Sequence, residues 1–128
     1  MYNLFATPVE KVKIIPTQEQ YDITLLLLNR MFNDVKEHNW ALETGKSTGE
    51  LGLDLHDCPE IWWLIGRATE HVRTYWKELG YRDTERIIPE SSWANVHMTN
   101  QTTGEHAHCG GFKKAHISTV YYLDKPAY

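Results

Sequence analysis

The chain is poor in cysteine, lacks any long apolar run and has no excess of basic charge. Each shortage excludes a class of protein. Cys58 and Cys109 are its two cysteines, too few for a disulfide framework. No apolar stretch approaches the ~18 residues of a membrane span. No basic start leads into an apolar segment in the manner of a secretory leader. The expectation is a cytoplasmic protein in a reducing compartment, with no membrane partner. Lys and Arg number 13 against 17 Asp and Glu, a formal net charge of -4. Binding by counterion release needs clustered basic residues, so no nucleic-acid partner is expected. Internal repeats and low-complexity segments are absent from the sequence as well.

What is present suits one packed domain over residues 1–128, a length that supports a single core. Five Trp and seven Tyr suit a core of sheet packed on helix. An opening strand is expected over residues 1–15, with Leu4 to Ile15 as its core and Pro8 near its start. Thr17 then reads as a helix N-cap, with Gln20 completing a capping box. The helix that follows is expected from about Gln18 to Glu37. Tyr21, Leu25, Leu28, Phe32 and Val35 line its buried stripe, which Leu26 and Leu27 widen.

Trp40 to Leu55 reads as a long loop, punctuated by Gly45, Gly49 and Gly52. Asp57-Cys58-Pro59 opens a second helix that Gly80 closes, so residues 17–80 form a two-helix layer around that loop. Its stripe is Ile61, Ile65, Ala68, Val72, Tyr75 and Leu79, flanked by Trp62, Trp63 and Trp76. His71 on this helix reads as a surface or partly buried histidine. From Ile87 the period becomes two. Ser92 to Met98 is expected as a strand, with Trp93, Asn95 and His97 on one face and Ala94, Val96 and Met98 on the other. Cys109 to Lys114 reads as a loop. His116 to Leu123 reads as a strong strand with Ile117, Thr119, Tyr121 and Leu123 facing one way.

The chemistry centres on His106-Ala107-His108. In an extended segment, residues two apart project to the same side, so both imidazoles reach one cation. Neutral imidazole suits Fe, Zn, Ni and Cu, which makes the pair half of a transition-metal site. The competing reading is a polar turn, favoured by Gly104, Glu105 and Gly110 around the pair. Cys109 offers a thiolate for a zinc-type cluster, or simply a small residue opening the loop.

The order Ser92-Trp93-Ala94-Asn95-Val96, then Gly104-Glu105-His106-Ala107-His108, then Ile117-Ser118-Thr119-Val120-Tyr121-Tyr122-Leu123-Asp124-Lys125-Pro126 resembles the phage and bacterial branch of Fe(II)- and 2-oxoglutarate-dependent oxygenases. Leu4 to Val9 is similar to that family's start. The resemblance implies an α+β fold, with two helices packed on a partial double-stranded β-helix, a jelly-roll of cupin-like type formed over residues 87–128. It implies a non-haem dioxygenase that takes Fe(II), 2-oxoglutarate and O2, and hydroxylates a C–H bond with one oxygen atom while the other enters the succinate formed, with CO2, from the cosubstrate.

Position by position, His106 matches the first iron-binding histidine. His108 stands where the wider superfamily has Asp or Glu, so a neutral ligand replaces an anion there. Asn95 and Tyr122 are the residues expected to bind cosubstrate or substrate. His116 joins as a third ligand only if the Gly110-Gly111 loop folds it back. The C-terminal strands, the family's distal histidine and its basic residue have no counterpart before Tyr128. Either a second polypeptide or a further copy of the chain supplies them as partner, or the chain is a truncated product, or it is a small helix-on-sheet domain that keeps only part of that fold. A viral source and a host-cytoplasm location follow from the same resemblance. The alternative is a non-catalytic virion or assembly protein that keeps the scaffold without the chemistry.

Overall fold

The computed structural model describes residues 7–35, 45–83, 86–97, 109–110, 113–114 and 117–123. It is α+β. Its helices are α1 (Gln18–Asn33) and α2 (Trp62–Glu78), and the described residues between them include a short strand and three 3-10 turns. Strand β1 (Lys46–Ser47) pairs antiparallel with β2 (Asn95–Val96), in register Lys46 with Val96 and Ser47 with Asn95. A second antiparallel pair joins β3 (Cys109–Gly110) to β4 (Lys113–Lys114).

The start of α1 is dictated locally. Thr17 Oγ1 accepts the Gln20 N–H at 3.1 Å, and Gln20 Oε1 accepts the Thr17 N–H at 2.9 Å. Two orphan donors of the first turn are thereby satisfied. The helix ends at Asn33 with Asp34 as its cap, so over the described residues it stops short of the expected Glu37. Its buried line is Thr24, Leu27, Met31 and, just beyond the helix, Val35. Val35 and Leu27 are buried as expected, but the rest of the stripe is corrected: Tyr21, Leu25, Leu28 and Phe32 are half-buried flanks, and Leu26 lies 72% exposed.

The second helix begins as expected near Pro59, through a 3-10 turn Pro59–Ile61 that runs into α2. Ile61 and Leu64 are its buried contacts. Leu64 was not in the expected stripe, whose far end, Leu79, is exposed. Gly80 adopts φ 90°, a left-handed conformation that glycine takes without a Cβ clash. The core is the cluster Leu27, Met31, Leu55, Ile61 and Leu64, so it sits between α1, α2 and the turn at Leu55.

Two expected strands fail to form over the described residues. Residues 7–15 of the opening segment make no ladder and lie largely exposed as an arm. Their alternation is loose, and their partners are side chains. Tyr75 donates its hydroxyl to the Pro8 carbonyl at 2.6 Å, Arg67 donates to the Ile15 carbonyl at 2.8 Å, and Tyr121 donates to the Ile14 carbonyl at 3.1 Å. Residues 117–123 also lack a ladder. Their faces nevertheless follow the expected alternation in part: Ile117, Tyr121 and Leu123 are half-buried, and Val120 and Tyr122 are exposed, but Thr119 is exposed too. Tyr121 sets its ring edge-on against Trp63, with centroids 6.3 Å apart.

Two stretches expected to be loops contain strand. Lys46–Ser47 lies within the expected Trp40–Leu55 loop, and within the expected Cys109–Lys114 loop Cys109–Gly110 pairs with Lys113–Lys114. Ser92–Met98 is a strand at Asn95–Val96. From Trp93 to His97 its sides alternate as expected, with Trp93, Asn95 and His97 exposed and Ala94 and Val96 half-buried. Among the described residues, no helix is long and apolar enough to cross a membrane.

Candidate functional site

His106 and His108 lie outside the described residues, as does His116. Asn95 and Tyr122 are described, and both side chains are exposed. Neither hydrogen bond nor ring contact joins them. Cys109 is in β3, whose pairing with β4 gives it a strand position. His71 is exposed, as its place on the helix suggested.

The described donor cluster lies elsewhere, in a segment that the sequence reading treated as loop and helix start. Asp54, His56 and Asp57 flank and fill a 3-10 turn, Leu55–Asp57. Their candidate ligand atoms all lie within 4.8 Å of one another. Four bonds fasten this turn to the distant residue Ser92. The Leu55 N–H donates to the Ser92 carbonyl at 3.1 Å. The His56 N–H donates to Ser92 Oγ at 2.8 Å, and His56 Nδ1 lies 2.7 Å from the same oxygen. The Ser92 N–H donates to Asp54 Oδ1 at 2.9 Å.

The turn is anchored from beneath by the buried Leu55 and from the side by Trp62, whose indole donates to the His56 carbonyl at 3.0 Å. His56 is mostly covered, with 17% of its side chain exposed, whereas Asp57 is 78% exposed. His56 Nε2 faces Asp57 Oδ1 at 3.9 Å, beyond a direct hydrogen bond.

Ser92, His56 and Asp57 share the residue types of a hydrolytic triad, but the geometry is wrong for one. Ser92 Oγ accepts a main-chain N–H, and the carboxylate stands too far from the ring to orient it. Chemically the group offers one imidazole and two carboxylates, a mixed N/O set of the kind that holds divalent transition metals. The sequence signal for it is Asp54-Leu55-His56-Asp57, three donors in four residues after a glycine-rich stretch. That spacing is common, and the distant Ser92 contact that fixes the ring is invisible in it.

Beside the cluster, a groove of about 330 Å³ runs between α1 and the turns, floored by Leu27, Met31, Leu51 and Leu53. Cys58 borders it, and its thiol titrates above the ordinary value because it is partly buried and because Glu60 and Asp57 add negative charge nearby. That keeps Cys58 a protonated, weakly nucleophilic thiol at neutral pH.

Compared with family models, with curated proteins and with solved structures, the chain matches none of them.

Proposed function

We propose that the chain is an Fe(II)- and 2-oxoglutarate-dependent oxygenase of jelly-roll type, in which His106 and His108 hold the metal. The observation that carries this reading is the order of its sequence motifs: Ser92 to Val96, the His106-Ala107-His108 pair, then Ile117 to Pro126. The packing of the motif-bearing segments is consistent with it. Residues 92–96 are fastened to the turns before α2, and Tyr121 rests against Trp63 of α2. Two of the three motif-bearing segments thus contact the helical layer, which supports the reading.

The donor set suits the metal, since two neutral imidazoles two residues apart bind Fe(II) in an extended segment. When bound, the iron would activate dioxygen, the oxidant, with 2-oxoglutarate as electron donor, one oxygen atom going to succinate and the other to the hydroxylated carbon. The chain's own residues bind and orient. Asn95, on the exposed side of β2, offers a carboxamide that donates and accepts. Tyr122, exposed beyond Tyr121, offers a phenol that donates to a carboxylate. A third metal ligand comes from His116 or from a partner polypeptide or second copy.

Anaerobic addition of Fe(II) and then 2-oxoglutarate tests the reading. The expected result is a weak visible charge-transfer band that disappears when His106 and His108 are both replaced by Ala. Retention of the band in that double variant would remove the assignment. Its absence from the unaltered chain, alone and mixed with candidate partners, would favour the non-catalytic virion or assembly protein.

A further inference from the structure

We propose that Asp54, His56 and Asp57 form a second divalent transition-metal site, with Ser92 as the residue that positions the imidazole. It uses none of the metal- or cosubstrate-binding residues of the oxygenase reading, shares only Ser92 with the motifs that carry that reading, and is tested separately from it.

Three observations converge. The first is proximity. Ligands on one cation with bonds of about 2.1 Å stand roughly 3.0 to 4.2 Å apart. The three donors already lie within 4.8 Å of one another, and Asp57 is exposed enough to swing inward. The second is the ring's orientation. Ser92 comes from a segment 36 residues away and places its hydroxyl oxygen 2.7 Å from His56 Nδ1. With Nδ1–H donating to that oxygen, the lone pair lies on Nε2, on the side of Asp57. A histidine whose other nitrogen is held by a fixed acceptor is the usual arrangement behind a metal ligand.

The third is an unmet need. Among the described residues Nε2 has no hydrogen-bond partner, and the carboxylate it faces stands off at 3.9 Å. That gap is too long for a direct bond and short enough for a shared cation. If Nε2 carried the proton instead, Asp57 would be free to close on it, since little holds that exposed side chain away.

One nitrogen and two oxygens select Zn, Mn, Fe, Co or Ni over Ca, which prefers oxygen alone, and over Cu(I), which prefers sulfur. Bound there, the ion would clamp the 54–57 turn to Ser92, and through it to the segment leading into β2. Its role would be to fix the loop against the sheet, with water filling the remaining positions.

Cobalt(II) is the probe, read by its visible absorption and by equilibrium dialysis of the full chain. Substitutions are made both in the natural sequence and in a His106→Ala/His108→Ala background. In either background Asp57→Asn should remove one bound equivalent or weaken it by at least about tenfold, and Ser92→Ala should weaken it by about 10- to 100-fold. Asp57 is exposed, so metal-free circular dichroism and melting should be unchanged by Asp57→Asn. That separates loss of a ligand from loss of the fold. Cobalt binding that is identical with and without Asp57→Asn in both backgrounds overturns the site. So does a natural chain that binds no cobalt.

Discussion

At the residue scale, two buried threonines tie separate elements together by hydrogen bonds. Thr24 is 1% exposed, and its hydroxyl accepts the Trp63 indole N–H at 3.0 Å, linking α1 to α2. Thr24→Val keeps the volume but leaves that indole N–H unpaired. The expected cost is about 1 to 3 kcal/mol, read from urea unfolding. Thr48, fully buried, plays the corresponding role at the sheet, where its hydroxyl accepts the Ala94 N–H at 2.9 Å. Neither threonine stood out in the sequence: Thr24 lies in an apolar helix run and Thr48 in a polar, glycine-containing stretch, and neither context reveals the hydroxyl's partner. His56 was hidden for the same reason: what makes it notable is Ser92, and chain spacing does not report that contact.

At the scale of elements, legibility followed how local the determining forces are. The capping box at Thr17 and Gln20 was readable because four adjacent residues decide it. Thr17→Ala should lower stability by about 1 kcal/mol, measurable as a shift of the unfolding midpoint. The phase of α1 was harder. Leu25, Leu26, Leu27 and Leu28 point in every direction around a helix, so periodicity alone leaves the buried face open. Packing against Ile61 and Leu64 selects Leu27 and Met31 and leaves Leu26 outside. Leu27→Ala should therefore cost about 2 to 5 kcal/mol. Leu26→Ala should cost under about 0.5 kcal/mol. Equal losses would place the face wrongly. Strands were legible in their alternation, as in Trp93 to His97. Whether a segment joins a ladder depends on distant partners, and so residues 7–15 and 117–123 read as strands yet pair with none among the described residues. The proposed His106–His108 pair, legible by spacing, falls outside them.

At the scale of the whole molecule, two groups that hold the structure together also make it sensitive to alkali. Burial pushes the Cys58 thiol above its ordinary 9.0, helped by Glu60 and Asp57, and burial pushes the Tyr121 phenol above its ordinary 10.0 against the opposing pull of Arg67. Each group stays neutral more firmly folded than unfolded. Below pH 9.0 both states keep their protons, and these groups leave stability flat. As pH rises through 9.0 and then 10.0, the unfolded chain releases protons first, and the folded state loses ground. The melting temperature should fall over that window. The double change Cys58→Ala and Tyr121→Phe should flatten the decline.

The arm over residues 7–15 carries one more consequence. Arg67, Tyr75 and Tyr121 each grip it by a main-chain carbonyl, at Ile15, Pro8 and Ile14. Such anchorage is indifferent to most of the arm's own spelling. Val9, Lys11 and Lys13 are exposed and at liberty to drift through evolution or be rewritten by design, while the three gripping side chains and Ile14, packed against the core, keep the strap fastened.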